Sequence, residues 1–201
     1  MKRIVTLALM LAALLAGSPA FAQSDLSVRL RGAIDAVTAQ SVTVTTLTGQ
    51  TLTIAVPAKA PVMDASKARL RSIKPGSFIG VAAQPQPDGT LVALEVHAFA
   101  ENLRGTGEGN YPWDLKPGST MTNGSVGSVV GTSGRTLTVQ YAGGEKTILV
   151  PKTTPVVIVT KGSHASIKPG RKAMIAATKA PDGTMTAQFI TVGKPGVTPP
   201  M

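Results

Sequence analysis

The sequence predicts an all-β protein: two tandem, repeated, small OB-like β-barrels joined by a structured linker containing glycine and proline. Three observations predict it. Ser72-Ile73-Lys74-Pro75-Gly76 recurs as Ser166-Ile167-Lys168-Pro169-Gly170, and Pro87-Asp88-Gly89-Thr90 recurs as Pro181-Asp182-Gly183-Thr184, both at an offset of 94 residues. Pro57 and Pro61 match Pro151 and Pro155 at that same offset, and a constant offset through several identities marks a duplicated unit. The segments between these landmarks are rich in Val, Thr and Ile with a period of two, the signature of strands with one buried face.

The elements follow in order. Residues 1–22 read as a signal peptide, with Lys2 and Arg3, an apolar run from Ile4 to Ala16 and a small-x-small cleavage site ending at Ala22. The apolar run falls short of the roughly 20 residues a membrane-spanning helix needs. Export to the periplasm or beyond is the expectation. The first barrel is expected over residues 23–99, with strands over Val28–Val37, Ser41–Leu47 and Gln50–Val56. A long connection follows, in which Asp64 is placed to cap a short helix over Ala65–Arg71. Phe78–Gln84 and Leu91–Phe99 then form a closing hairpin, where Gly89 supplies the positive φ of the turn. Residues 100–125 are the linker and residues 126–193 the second barrel. In that copy Val156 to Val159 favour a strand where the first copy has the capped segment. Residues 194–201, with Pro195, Gly196, Pro199 and Pro200, read as a disordered tail.

Composition narrows the function. No cysteine is present, which removes disulfides, thiolate catalysis and soft metal sites. Only two histidines occur, and neither a Gly-x-Ser-x-Gly elbow nor a His-Glu-x-x-His helix is found, so a non-catalytic role is expected. The formal net charge is +10, and leaving out Lys2 and Arg3 there remain eighteen basic against ten acidic side chains. For an exported chain the abundant polyanions are envelope lipids and acidic polysaccharides, not nucleic acid. The scarcity of aromatic side chains also opposes single-strand nucleic-acid binding, which needs stacking rings.

The basic residues concentrate in the two equivalent connections. Lys67, Arg69, Arg71 and Lys74 in the first copy, with Lys168, Arg171 and Lys172 in the second, are the expected contacts to an anionic polymer, lipid head group or protein partner. The alternative is a divalent-metal accessory site. Glu95 and His97 stand two apart on a strand, on one face, with Glu101 nearby, in a locally acidic stretch. Otherwise no cofactor is expected. In the linker, Gly105-Thr106-Gly107-Glu108-Gly109 lacks the following helix that a dinucleotide fingerprint requires, and Pro112 and Pro117 oppose one. Trp113, the only tryptophan, is the expected apolar anchor of that linker.

Together, Ser-Ile-Lys-Pro-Gly, Asp-Gly-Thr-x-x-Ala and the linker from Arg104 to Asn123 resemble an uncharacterised family of exported bacterial proteins with OB-like domains. The resemblance covers nearly all of the chain after residue 22. It implies a domain of unknown function; some such relatives carry a metal-transport permease label, which a chain without a second long apolar run contradicts. Relatives are expected to carry His after Gly-Glu-Gly, where this chain has Asn110.

Overall fold

The computed structural model describes residues 26–130 and 135–199, and the segment read as a signal peptide lies outside them. Among the described residues all regular structure is β, apart from three single 3₁₀ turns at Leu70–Ser72, Glu101–Leu103 and His164–Ser166. The first repeat supplies β1 (Leu26–Val37), β2 (Ser41–Thr46), β3 (Thr51–Ala55), β4 (Val62–Lys67), β5 (Phe78–Pro85) and β6 (Leu91–Phe99). A short strand, β7 (Gly109–Pro112), belongs to the linker. The second repeat supplies β8 (Thr120–Val130), β9 (Thr136–Tyr141), β10 (Gly144–Leu149), β11 (Val156–Lys161), β12 (Lys172–Lys179) and β13 (Met185–Gly193). Among the described residues no helix is long and apolar enough to cross a membrane.

All thirteen strands join one sheet, and its order corrects the expected tandem arrangement. The path runs β10-β9-β8-β5-β6-β11-β4-β13-β12-β1-β2-β3. The first three strands of each repeat therefore pair with the closing hairpin of the other. β1 lies against β12 from Leu26↔Lys179 to Ala33↔Lys172, and β5 lies against β8 from Phe78↔Ser125 to Ala83↔Thr120. The sheet curls back on itself at both ends, but narrowly: β10 meets β6 at two residue pairs and β13 meets β3 at one. Neither residues 23–99 nor residues 126–193 close a sheet alone. Alternation dictates which side chains face inward, and it is the same in both copies, so it does not choose between the two equivalent hairpins as partners.

β4 and β11 tie the halves together. They pair antiparallel about Ala65↔Val159, two residues related by the repeat offset, so a pseudo-twofold axis passes there. The parallel pairings Val156↔Val96 and Ile190↔Val62 obey the same symmetry. Here the expected helix over Ala65–Arg71 is replaced by a strand and a 3₁₀ turn, because β11 and β13 offer β4 a ladder on each side. Bulges at Ala82/Ala83 and Ala176/Ala177 fall at equivalent places and bend both hairpins alike.

Each lobe has a core drawn from both repeats. Ile34, Val44 and Ile54 pack against Ile175, Ala187 and Ile190 in one. Ile79, Val81 and Val96 pack against Leu137, Val139 and Ile148 in the other. Full burial of such a side chain contributes about 1.5–3 kcal/mol. Between the lobes, Met121 of β8 and Met174 of β12 meet under Tyr111, Trp113 and Leu115 of the linker. Residues 194–199 correct the expectation of a frayed tail: Lys194 N–H donates to Ala65 O at 2.8 Å, and Val197 packs on the cluster of Ala65, Phe78, Phe99 and Val159.

Candidate functional site

β4 ends at Lys67, and extended backbone carries the chain through Arg69 at φ −126° and ψ 143°. The 3₁₀ turn then forms because Leu70 and Ile73 are drawn into the core beneath it. Ser72 secures it, its N–H and its Oγ both donating to Arg69 O, at 2.9 and 2.7 Å. Lys74 N–H donates to Ser77 Oγ at 3.0 Å, and Gly76 N–H to Val126 O at 2.7 Å. With the apolar residues committed inward, Arg69, Arg71 and Lys74 stand exposed on the outside of a fixed turn.

Two clefts flank that turn. One, of about 580 Å³, is lined by Lys67, Arg69, Arg135 and Lys152, with Val156 and Val157 among its apolar lining. The other, of about 500 Å³, is lined by Arg69, Arg71, Lys74 and Arg135 with Leu70, Ile73 and Val129. They share Arg69, Leu70 and Arg135, and so adjoin as the two halves of one trough across that turn. Among the described residues, six cationic side chains line it and no carboxylate does. Two like charges 8 Å apart in water repel by about 0.5 kcal/mol, so the cluster carries a self-repulsion that an anion relieves. Arg135 is half-buried and fixed, with Nε donating to Val150 O at 2.7 Å and Nη2 donating to Pro151 O.

The structure thus gathers Lys67, Arg69, Arg71 and Lys74 but separates them from the second-copy residues. Lys168 lines a small recess of about 200 Å³ that also holds Asp64. Arg171 Nη1 donates to Gly193 O at 3.2 Å, and Lys172 Nζ to Thr198 Oγ1 at 3.2 Å. The cleft related to the trough by the pseudo-twofold, of about 790 Å³, is largely apolar, with Ala60, Val62, Met63, Leu103 and Phe189. Arg69 is replaced there by Ser163 and Lys152 by Ala58; Lys67 keeps a cationic counterpart in that cleft, Lys161, whereas the counterpart of Lys74, Lys168, lines the separate recess. Sequence reasoning overlooked Arg135. It follows the Gly131-Thr132-Ser133-Gly134 stretch, far from the connections that held the other basic residues, and only the fold brings it to them.

Glu95, His97 and Glu101 do not converge, which corrects the metal alternative. Glu95 and His97 are 6% and 1% exposed, whereas Glu101 lies exposed on the 3₁₀ turn, paired with Arg104 at 2.5 Å. Arg104 holds the Glu101 carboxyl below its usual range. Among the described residues no three acidic or imidazole side chains could hold a metal ion. His97 stacks edge-on to Phe99 at 4.9 Å, and burial pushes its pKa down to about 3.

The linker is held to both lobes. β7 pairs with β8, and Asn123 Nδ2 reaches back to Thr106 O, Gly107 O and Tyr111 Oη at 3.3, 3.0 and 3.1 Å. Gly107 adopts φ +57°, and a Cβ there would lie 3.0 Å from Asn123 Nδ2, so glycine is needed where the loop folds over that amide. Trp113 is half-buried, with the Arg29 guanidinium 4.0 Å from its ring centre. Its neighbour Asp114 accepts from Arg31 at 2.8 and 3.2 Å. Burial pushes the Asp114 carboxyl up, but the hydrogen bonds and charge of Arg31 outweigh it and hold the pKa below the usual value.

Residues 31–97 match the family described as a domain of unknown function (DUF5666), so the first repeat carries that domain. No curated protein and no solved structure matches the chain.

Proposed function

We propose that this protein is a non-catalytic, exported binding module of the cell envelope that docks an anionic partner in the trough beside the Leu70–Ser72 turn. One observation carries the reading: Lys67, Arg69, Arg71, Lys74, Arg135 and Lys152 line two adjoining clefts into which no carboxylate of the described residues projects. Export rests on the first 22 residues, and the absence of catalysis on the shortage of candidate bases. We read each lobe as an OB-like barrel assembled from three strands of one repeat and two of the other.

The test is retention of the protein on an immobilised anionic polymer across a salt gradient. Binding built on this trough weakens steeply with salt, since screening shortens to about 8 Å at physiological ionic strength. The Arg69→Ser/Arg71→Ser variant should elute at clearly lower salt with an unchanged circular dichroism spectrum, because both side chains are exposed and neither enters a core. Elution of variant and parent at the same salt overturns the proposal.

A further inference from the structure

We infer that the trough is a single site for one extended polyanionic chain, laid across the 3₁₀ turn, and not for a compact anion or a bilayer surface. The inference rests on the anion-binding reading above and adds the class of ligand.

The distribution of charge carries it. Lys67 and Lys152 line only the first cleft, Arg71 and Lys74 only the second, and Arg69 and Arg135 stand between the two. Lys67 and Arg69 are two residues apart on extended backbone, which spaces their Cα atoms by roughly 6.6 Å on the same side. A single phosphate group meets two or three of these cations and leaves the others uncompensated. A chain carrying a charge every few ångströms reaches all six. The cations line concave surfaces, so a flat bilayer would touch the rims and leave the fixed Arg135 out of reach. Among the described residues no aromatic ring lines it, so the stacking face that reads sugar rings or bases is not supplied there. Recognition then depends on linear charge density. The pseudo-equivalent cleft has lost this character, so the site is not repeated at the position the pseudo-twofold relates to it.

The experiment compares orthophosphate, tripolyphosphate, long-chain inorganic polyphosphate and phosphatidylglycerol vesicles, each titrated against the full-length protein at several salt concentrations. The expected result is tight binding of the long chain, at least tenfold weaker binding of tripolyphosphate, and no competition by orthophosphate. Lys152→Ala and Lys74→Ala, at opposite ends of the trough, should each reduce the slope of log affinity against log salt by up to about one. Lys161→Ala, in the pseudo-equivalent cleft, should leave that slope unchanged. Equal affinity for tripolyphosphate and the long chain overturns the extended-chain inference and leaves the anion-binding function standing. So does vesicle binding without polymer binding. No binding to any of the four overturns both.

Discussion

Gly80 sits where no side chain fits: a Cβ there would lie 1.9 Å from His97 Nε2 and 2.4 Å from Asn123 Oδ1. Three strands contribute to this contact, since Gly80 is on β5, His97 on β6 and Asn123 on β8. Gly80→Ala should therefore destabilise the protein by about 1–3 kcal/mol through overpacking, measured as a lower denaturant midpoint. His97 makes a second prediction. Its native pKa of about 3 lies below the ordinary value of 6.5, so below pH 6.5 the unfolded chain takes up a proton that the folded chain refuses. Stability should fall on acidification from pH 6.5 toward 3, by up to about 1.4 kcal/mol per pH unit from this group. His97→Gln should lose that component of the slope; parallel pH profiles for variant and parent would refute the assignment. At this scale the sequence was partly legible. Period two put Glu95 and His97 on one face, but it did not say that this face is buried in protein, and a buried imidazole without converging carboxylates is not a metal ligand. Arg69 and Arg71 were visible as charge; Arg135 was not, since its place beside them depends on strands nearly seventy residues apart in the chain.

At the scale of elements, the linker acts as a clasp. Trp113 rests on the methionines of β8 and β12 and takes Arg29 of β1 on its ring, while Arg31 of β1 grips Asp114. Trp113→Ala removes a half-buried ring and its cation contact, and should cost about 2 kcal/mol and open residues 105–120 to protease. Acid should loosen the same clasp. The depressed Asp114 pKa means the ion pair contributes fully above the ordinary value of 3.8 and is lost as pH falls through the lower folded value. Trp113 fluorescence should shift toward that of solvated indole in that range, and Asp114→Asn should bring the shift to neutral pH. The hairpins were readable beforehand because Pro-Asp-Gly-Thr turns and alternating Val and Thr are local signals. The segment after Pro57 was not. Asp64, Ala65 and Ala68 favour a short helix locally, but two neighbouring strands override that preference with a hydrogen-bond ladder on each side of β4.

For the whole molecule the exchange of hairpins decides behaviour. Each core needs strands from both repeats, so the two lobes should unfold in one cooperative transition, with fluorescence and circular dichroism midpoints coinciding. Limited proteolysis at the exposed Gly105–Gly107 loop should give two fragments that co-elute under native conditions and separate only in denaturant. Fragments that part at once would show that the interleaving contributes little to cohesion. The duplication was legible from a few identities at a fixed offset, but the exchange was not. Two copies of one pattern satisfy the same in–out alternation whether a hairpin closes on its own repeat or on its neighbour, and only the path of the connections distinguishes them.

Joining the two repeats covalently also frees them from symmetry. Two separate copies exchanging hairpins would have to find one another, so their stability would follow concentration. The linker replaces that encounter with a fixed local concentration, in the millimolar range for short connections. A pair of identical chains would also carry every surface feature twice, and a cation favourable at one cleft would be imposed on the other. Fusion lifts that constraint. Ser163 and Ala58 can then stand where the other half has Arg69 and Lys152, so one scaffold of two rotationally related halves presents two chemically unlike faces.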